Sequence, residues 1–67
     1  MRYRVREIRE QKNMSQEELA RKSGISRPTI SAIENDKVRG KVEVGTLLAI
    51  AYALETTIDE LFYSKTV

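Results

Sequence analysis

Gln16-Glu17-Glu18-Leu19-Ala20-Arg21-Lys22-Ser23-Gly24-Ile25-Ser26-Arg27-Pro28-Thr29-Ile30-Ser31-Ala32-Ile33-Glu34-Asn35 decides the fold. Ser15 and Glu18 bracket its start as a capping box, in which the Ser15 hydroxyl and the Glu18 carboxylate each satisfy an orphan N–H of the first turn. The spacing predicts a helix over 16–23, and Gly24 ends it. Ser26 caps a second helix that runs to about Asn35. Pro28 falls in its first turn, where a missing N–H costs nothing. With only Gly24-Ile25 between them, the two helices must cross steeply. Ala20 is small where the second helix passes over the first, and Gly24 tolerates a backbone conformation costly to other residues. Leu19, Ile25, Ile30 and Ile33 recur at the spacing that points them into one core. All six positions agree.

Working outward, the periodicity stays helical and no segment alternates as a strand does. A helix is expected over 2–12 with Val5 and Ile8 facing inward, followed by Asn13, which accepts the left-handed conformation of a helix end. Downstream, Asp36-Lys37-Val38-Arg39-Gly40-Lys41 has loop character. A fourth helix is expected over 44–54, where the apolar run Leu47-Leu48-Ala49-Ile50-Ala51-Tyr52-Ala53-Leu54 fits a buried helix. Thr57-Ile58-Asp59-Glu60 is a second capping box that opens a short fifth helix ending near Tyr63. The expected architecture is all-α: five short helices in one domain over residues 1–63, with a tail over 64–67.

Size and composition restrict what such a chain can do. At 67 residues a single small core rarely supplies more than about 3–5 kcal/mol. The absence of cysteine and histidine removes disulfides and a zinc staple as remedies. Regular helix packing or self-association remains. No apolar run nears the ~18 residues of a membrane span, and no apolar segment follows Met1-Arg2-Tyr3-Arg4 as in a secretory signal. A cytoplasmic protein with no membrane contact, cofactor or metal is expected. Its net charge of +2 is unevenly spread. Residues 1–41 hold eleven Lys/Arg against six Asp/Glu, and residues 42–67 hold one lysine against four acids. A basic front and an acidic back orient a molecule in the field of a polyanion.

The quoted stretch resembles the helix-turn-helix of the lambda-repressor-like family, which includes phage repressors, Cro proteins and Xre-type regulators. The similarity extends to Val5-Arg6-Glu7-Ile8-Arg9, to Leu47-Leu48-Ala49-Ile50-Ala51-Tyr52-Ala53-Leu54 and to Thr57-Ile58-Asp59-Glu60-Leu61-Phe62, nearly the whole chain. It implies a compact five-helix domain in which helices 2 and 3 form the motif and helix 3 enters the DNA major groove. The expected function is sequence-specific binding of double-stranded DNA by a transcriptional regulator, as a repressor acting on a palindromic operator. Facing the bases would be Arg27, Pro28, Thr29, Ser31 and Ala32, at the exposed leading end of helix 3. Arg27 can bond both acceptors of a guanine. Pro28 and Ala32 offer at most contact with a thymine methyl, and Pro28 equally reads as a helix starter. Thr29 or Ser31 can bond a base or a phosphate. Gln16, Ser26, Asn35, Lys37, Arg39 and Lys41 are the expected phosphate contacts, with the start of helix 2 as an anion site.

By the same resemblance Arg9 and Glu34 form an ion pair tying helix 1 to helix 3, and they count as scaffold. Arginines 2, 4 and 6 are read first as solvated charge, with an N-terminal arm to the DNA backbone as the alternative. Asp36 stands where the family usually has glycine. The fifth helix, with Ile58, Leu61, Phe62 and Tyr63, would close the core and, in the family, supply the two-fold contact of a homodimer. With no sensor domain evident, no small-molecule effector is expected. Three rival functions have distinct signatures. An enzyme would lack the usual Cys and His acid–base groups and the volume for a pocket. A protein-interaction module such as an antitoxin would bind with little salt dependence. An RNA binder would want an aromatic platform that Tyr3, Tyr52, Phe62 and Tyr63 do not obviously provide.

Overall fold

Four α-helices follow in order: α1 Val5–Gln11, α2 Gln16–Ser23, α3 Arg27–Glu34 and α4 Val44–Ala53, then one 3₁₀ turn, Asp59–Leu61. They come from a computed structural model that describes residues 3–62. Arg2, Tyr63 and the 64–67 tail, all assigned from sequence, lie outside the described residues. No strand and no helix long and apolar enough to cross a membrane occurs among those described.

The caps explain the breaks. Ser15 accepts from the Glu18 N–H at 3.0 Å. The Glu18 carboxylate does not reach back to complete the box and instead lies 3.5 Å from Lys22. Gly24 closes α2 at φ 75°, its N–H donating to the Ala20 carbonyl. A Cβ there would meet nothing within 4 Å, so backbone conformation and not crowding selects glycine. The other three helices end on residues with side chains. Asn13, Asp36 and Glu55 hold φ 55°, 57° and 56°. In each case the N–H of the next residue bonds back five positions: Met14 to Arg9, Lys37 to Ala32, Thr56 to Ala51. These are Schellman closures. Asp36 thus adopts the left-handed conformation despite its side chain, at a cost of roughly 1–2 kcal/mol that glycine would avoid.

α2 packs against both α3 and α4, and α1 lies on α3. Leu19, Ile30, Ile33, Ile50, Leu54, Leu61 and Val5 are fully enclosed, with Ile8 and Leu47 beside them. Ala20 and Ile25 pack against this core while only half-buried.

Two further sequence expectations fail. The segment after Thr57 is not a fifth α-helix. Thr57 does cap Glu60, at 3.3 Å, but the bonds that follow are of the i→i+3 kind: Leu61 to Ile58 and Phe62 to Asp59. One tight turn is all the chain makes before Phe62 departs to form an isolated antiparallel bridge with Tyr3. The Arg4 N–H donates to the Leu61 carbonyl at 2.6 Å, and the Tyr3 and Phe62 rings stand 5.4 Å apart. An α-helix nucleus repays its ordering only when it propagates, and here the chain is pulled away first. Nor is α4 buried all round. Leu47, Ile50, Ala51 and Leu54 are buried, but Val44, Leu48 and Tyr52, four apart, form an exposed stripe, Tyr52 being 86% accessible.

Candidate nucleic-acid interface

Glu34 is the centre around which the polar surface is organised. Its side chain is wholly buried, in the last turn of α3, where Ile30 and Ile33 hold the helix against the core. Arg9 grips it from α1 through two bonds, Nε to Oε2 at 2.8 Å and Nη2 to Oε1 at 3.1 Å. The third arm of the same guanidinium donates to the Met14 carbonyl at 2.8 Å. Gln16 Nε2 donates to Oε1 at 2.9 Å, and Arg6 Nε reaches that oxygen at 3.5 Å. One carboxylate therefore joins α1, the start of α2 and the end of α3.

Burial alone would raise the Glu34 pKa. The bonds from Arg9, Gln16 and Arg6 outweigh it, and the carboxyl is held below its ordinary value of 4.5. The Arg9 pKa is raised above its ordinary value, chiefly by its bond to Glu34. A carboxylate with a depressed pKa adds stability that is whole above the unfolded-state value and is lost as pH falls through the folded-state value. Below about pH 4.5, wild-type stability should therefore decline more steeply than that of Glu34→Gln. Denaturant midpoints measured through the acid range would show this, and parallel declines would refute it.

The expected base-facing residues lie at the free end of α3. Arg27, Pro28 and Thr29 are exposed, and Ser31 and Ala32 are half-buried. Arg27 Nη1 lies 3.5 Å from Glu17 Oε2, both side chains being largely in water. Such a pair contributes about 0–1 kcal/mol, so a stronger anion or base edge can displace it. Ser26 caps α3 through the Thr29 N–H at 3.3 Å and donates to Thr29 Oγ1 at 2.8 Å, engaging both hydroxyls locally.

The expected phosphate contacts divide. Lys37, Arg39 and Lys41 are exposed on the segment after α3. Gln16 is half-buried and already holds Glu34. The Asn35 amide nitrogen donates to the Ser31 carbonyl at 2.9 Å and lies 3.3 Å from the Ser31 hydroxyl. Its oxygen accepts from Arg6 Nη2 at 2.7 Å. Arg6, read from sequence as solvated, was therefore missed. The available signal was its place one turn before Arg9, on the same face of α1. Arg4 is not merely solvated either, since it pairs with Glu7 at 3.1 Å and approaches Glu60 at 3.9 Å.

Residues 5–61 match the family model described as helix-turn-helix. Two proteins of Archaeoglobus fulgidus, both described as uncharacterized HTH-type transcriptional regulators, are 39% and 36% identical over 62 residues. Each alignment covers 92% of this chain, and 86% and 84% of the respective relative. Among solved structures, the restriction-modification controller protein C.AhdI from Aeromonas hydrophila superposes with a TM-score of 0.80 at 37% identity. That superposition covers 88% of this chain and 86% of the other.

Proposed function

The chain belongs to the helix-turn-helix family of DNA-binding transcriptional regulators, and from that premise we propose that it is a repressor that binds a palindromic operator as a homodimer. The observation that carries this is the outward-facing start of α3. Arg27, Pro28 and Thr29 stand in solvent while Ile30, Ile33 and Glu34 anchor the same helix from behind. A short rigid helix presented by its leading end suits the major groove. Arg27 reads a guanine, Thr29 and Ser31 bond a base or phosphate, and Pro28 and Ala32 offer apolar contact to a thymine methyl. Lys37, Arg39 and Lys41 follow the backbone, with Gln16, Ser26 and Asn35 near it.

Dimerisation is supported by the exposed stripe Val44, Leu48 and Tyr52 together with Phe62. A second copy covering it would relieve the small core and set two copies of α3 about 34 Å apart, one DNA turn. No enzymatic role is proposed, since the shifted groups Arg9 and Glu34 are engaged in one ion pair. An antitoxin-like interaction module is not favoured, given relatives described as regulators and a controller protein.

Selection of bound sites from a random duplex pool tests the proposal. Two inverted half-sites about one turn apart are expected, and an asymmetric single site would refute the dimer. On the selected site, Arg27→Ala should relax one base position by about 1–3 kcal/mol. Lys37→Ala should weaken all sequences alike and reduce the salt slope by about one. If both variants titrate as wild type, the groove assignment is wrong.

A further inference from the structure

Arg6 lies outside the phosphate contacts expected at Gln16, Ser26, Asn35, Lys37, Arg39 and Lys41, and the structure ties it to the end of α3. Its Nε and one Nη2 hydrogen are engaged by Glu34 and Asn35. Among the described residues, no other partner takes the rest of its guanidinium, and its side chain is 41% exposed. Arg9 differs in both respects: all three of its nitrogens donate and it is 11% exposed. Two guanidiniums against one buried carboxylate leave a surplus positive charge, and Arg6 is where that charge meets water.

Asn35 is differently placed. Its oxygen faces the Arg6 donor and its nitrogen faces the Ser31 carbonyl. Turning the amide over would set donor against donor and acceptor against acceptor, so the network allows one orientation. In that orientation the amide hydrogens point back into the last turn of α3, and the amide oxygen holds the guanidinium in place. Asn35 also begins the segment that carries Lys37, Arg39 and Lys41, so Arg6 extends that basic surface onto α1.

We propose that Arg6 contacts a DNA phosphate at the end of α3, and that Asn35 is a positioning residue that aims it. The inference rests on the DNA-binding reading above. It differs from the expectation that Asn35 touches the phosphate itself.

The test is binding of the full chain to a mixed-sequence duplex across a salt series, with thermal melts run in parallel. In wild type, log affinity should fall steeply with log salt. Arg6→Gln should make that slope shallower by about one and weaken low-salt binding roughly tenfold, as loss of a charge-assisted bond implies. Asn35→Ala should leave the slope unchanged and weaken binding less. The double variant should bind no worse than Arg6→Gln, because Asn35 acts through Arg6. Arg6→Lys, which keeps the charge but not the planar fork, should keep the slope and still lose affinity; it serves if Arg6→Gln does not fold. A wild-type slope in Arg6→Gln, additive losses in the double variant, or unchanged affinity in Arg6→Lys would each overturn the proposal. Absence of salt-dependent binding in wild type would instead defeat the DNA-binding reading on which it stands.

Discussion

Arg9→Met should remove about 3–5 kcal/mol of folding stability, as much as a core of this size is expected to supply. The reason lies in what remains. Glu34 stays enclosed in the last turn of α3 with none of its surface in water, and loses its two shortest guanidinium bonds. Gln16 and the more distant Arg6 Nε cannot replace a bidentate fork. The Met14 carbonyl loses its donor as well. Either Glu34 takes up a proton or α3 moves away from α1. The informative partner is the double variant Arg9→Met/Glu34→Leu. Replacing a buried ion pair by apolar side chains of similar volume is often neutral or stabilising, so most of the loss should return. Urea unfolding of the two variants would check this. A double variant as unstable as the single one would mean that the pair itself, and not the stranded charge, supports the fold.

Ile30→Ala should cost about 2–5 kcal/mol. Ile30 is fully enclosed, one helical turn before Glu34 and just behind the exposed Arg27, Pro28 and Thr29. Removing most of its side chain opens a cavity beneath the helix proposed to enter the groove. The loss should therefore appear twice, as reduced stability and as weaker binding to the selected duplex under conditions where the variant is folded. Ile30→Val deletes a single methylene and should cost only about 0.5–1.5 kcal/mol, giving a graded series. Calorimetric or denaturant midpoints would read the stability arm and a duplex titration the binding arm. Stability losses with unchanged affinity in the folded fraction would show that the leading end of α3 holds its shape without support from below.

How much was legible in advance depended on how local the cause was. The boundaries of α2 and α3 follow from Ser15, Gly24, Ser26 and Pro28, each acting within one turn of itself. Burial of Leu19, Ile30 and Ile33 follows from period alone, and the Arg9–Glu34 pair came from family resemblance. Arg6 was misread because an exposed arginine and one that bridges two helices look alike until the far helix is in place. The fifth helix was overcalled for a similar reason. Its capping residue Thr57 is real, but the pull of Tyr3 on Phe62 comes from the other end of the chain.

From the residues alone came the four α-helices to within a few residues at their ends, a tight bend between the second and third, and a basic front half. Local propensity, caps and periodicity act over a few positions and can be read without coordinates. Only the assembled chain decided that Val44, Leu48 and Tyr52 face water while their neighbours do not. It also decided that Arg6 and Gln16 meet at one oxygen of Glu34 and that the chain leaves the 3₁₀ turn at Phe62 to pair with Tyr3. Each of these joins residues distant in sequence or sets one helix face against another, and both depend on how the helices cross.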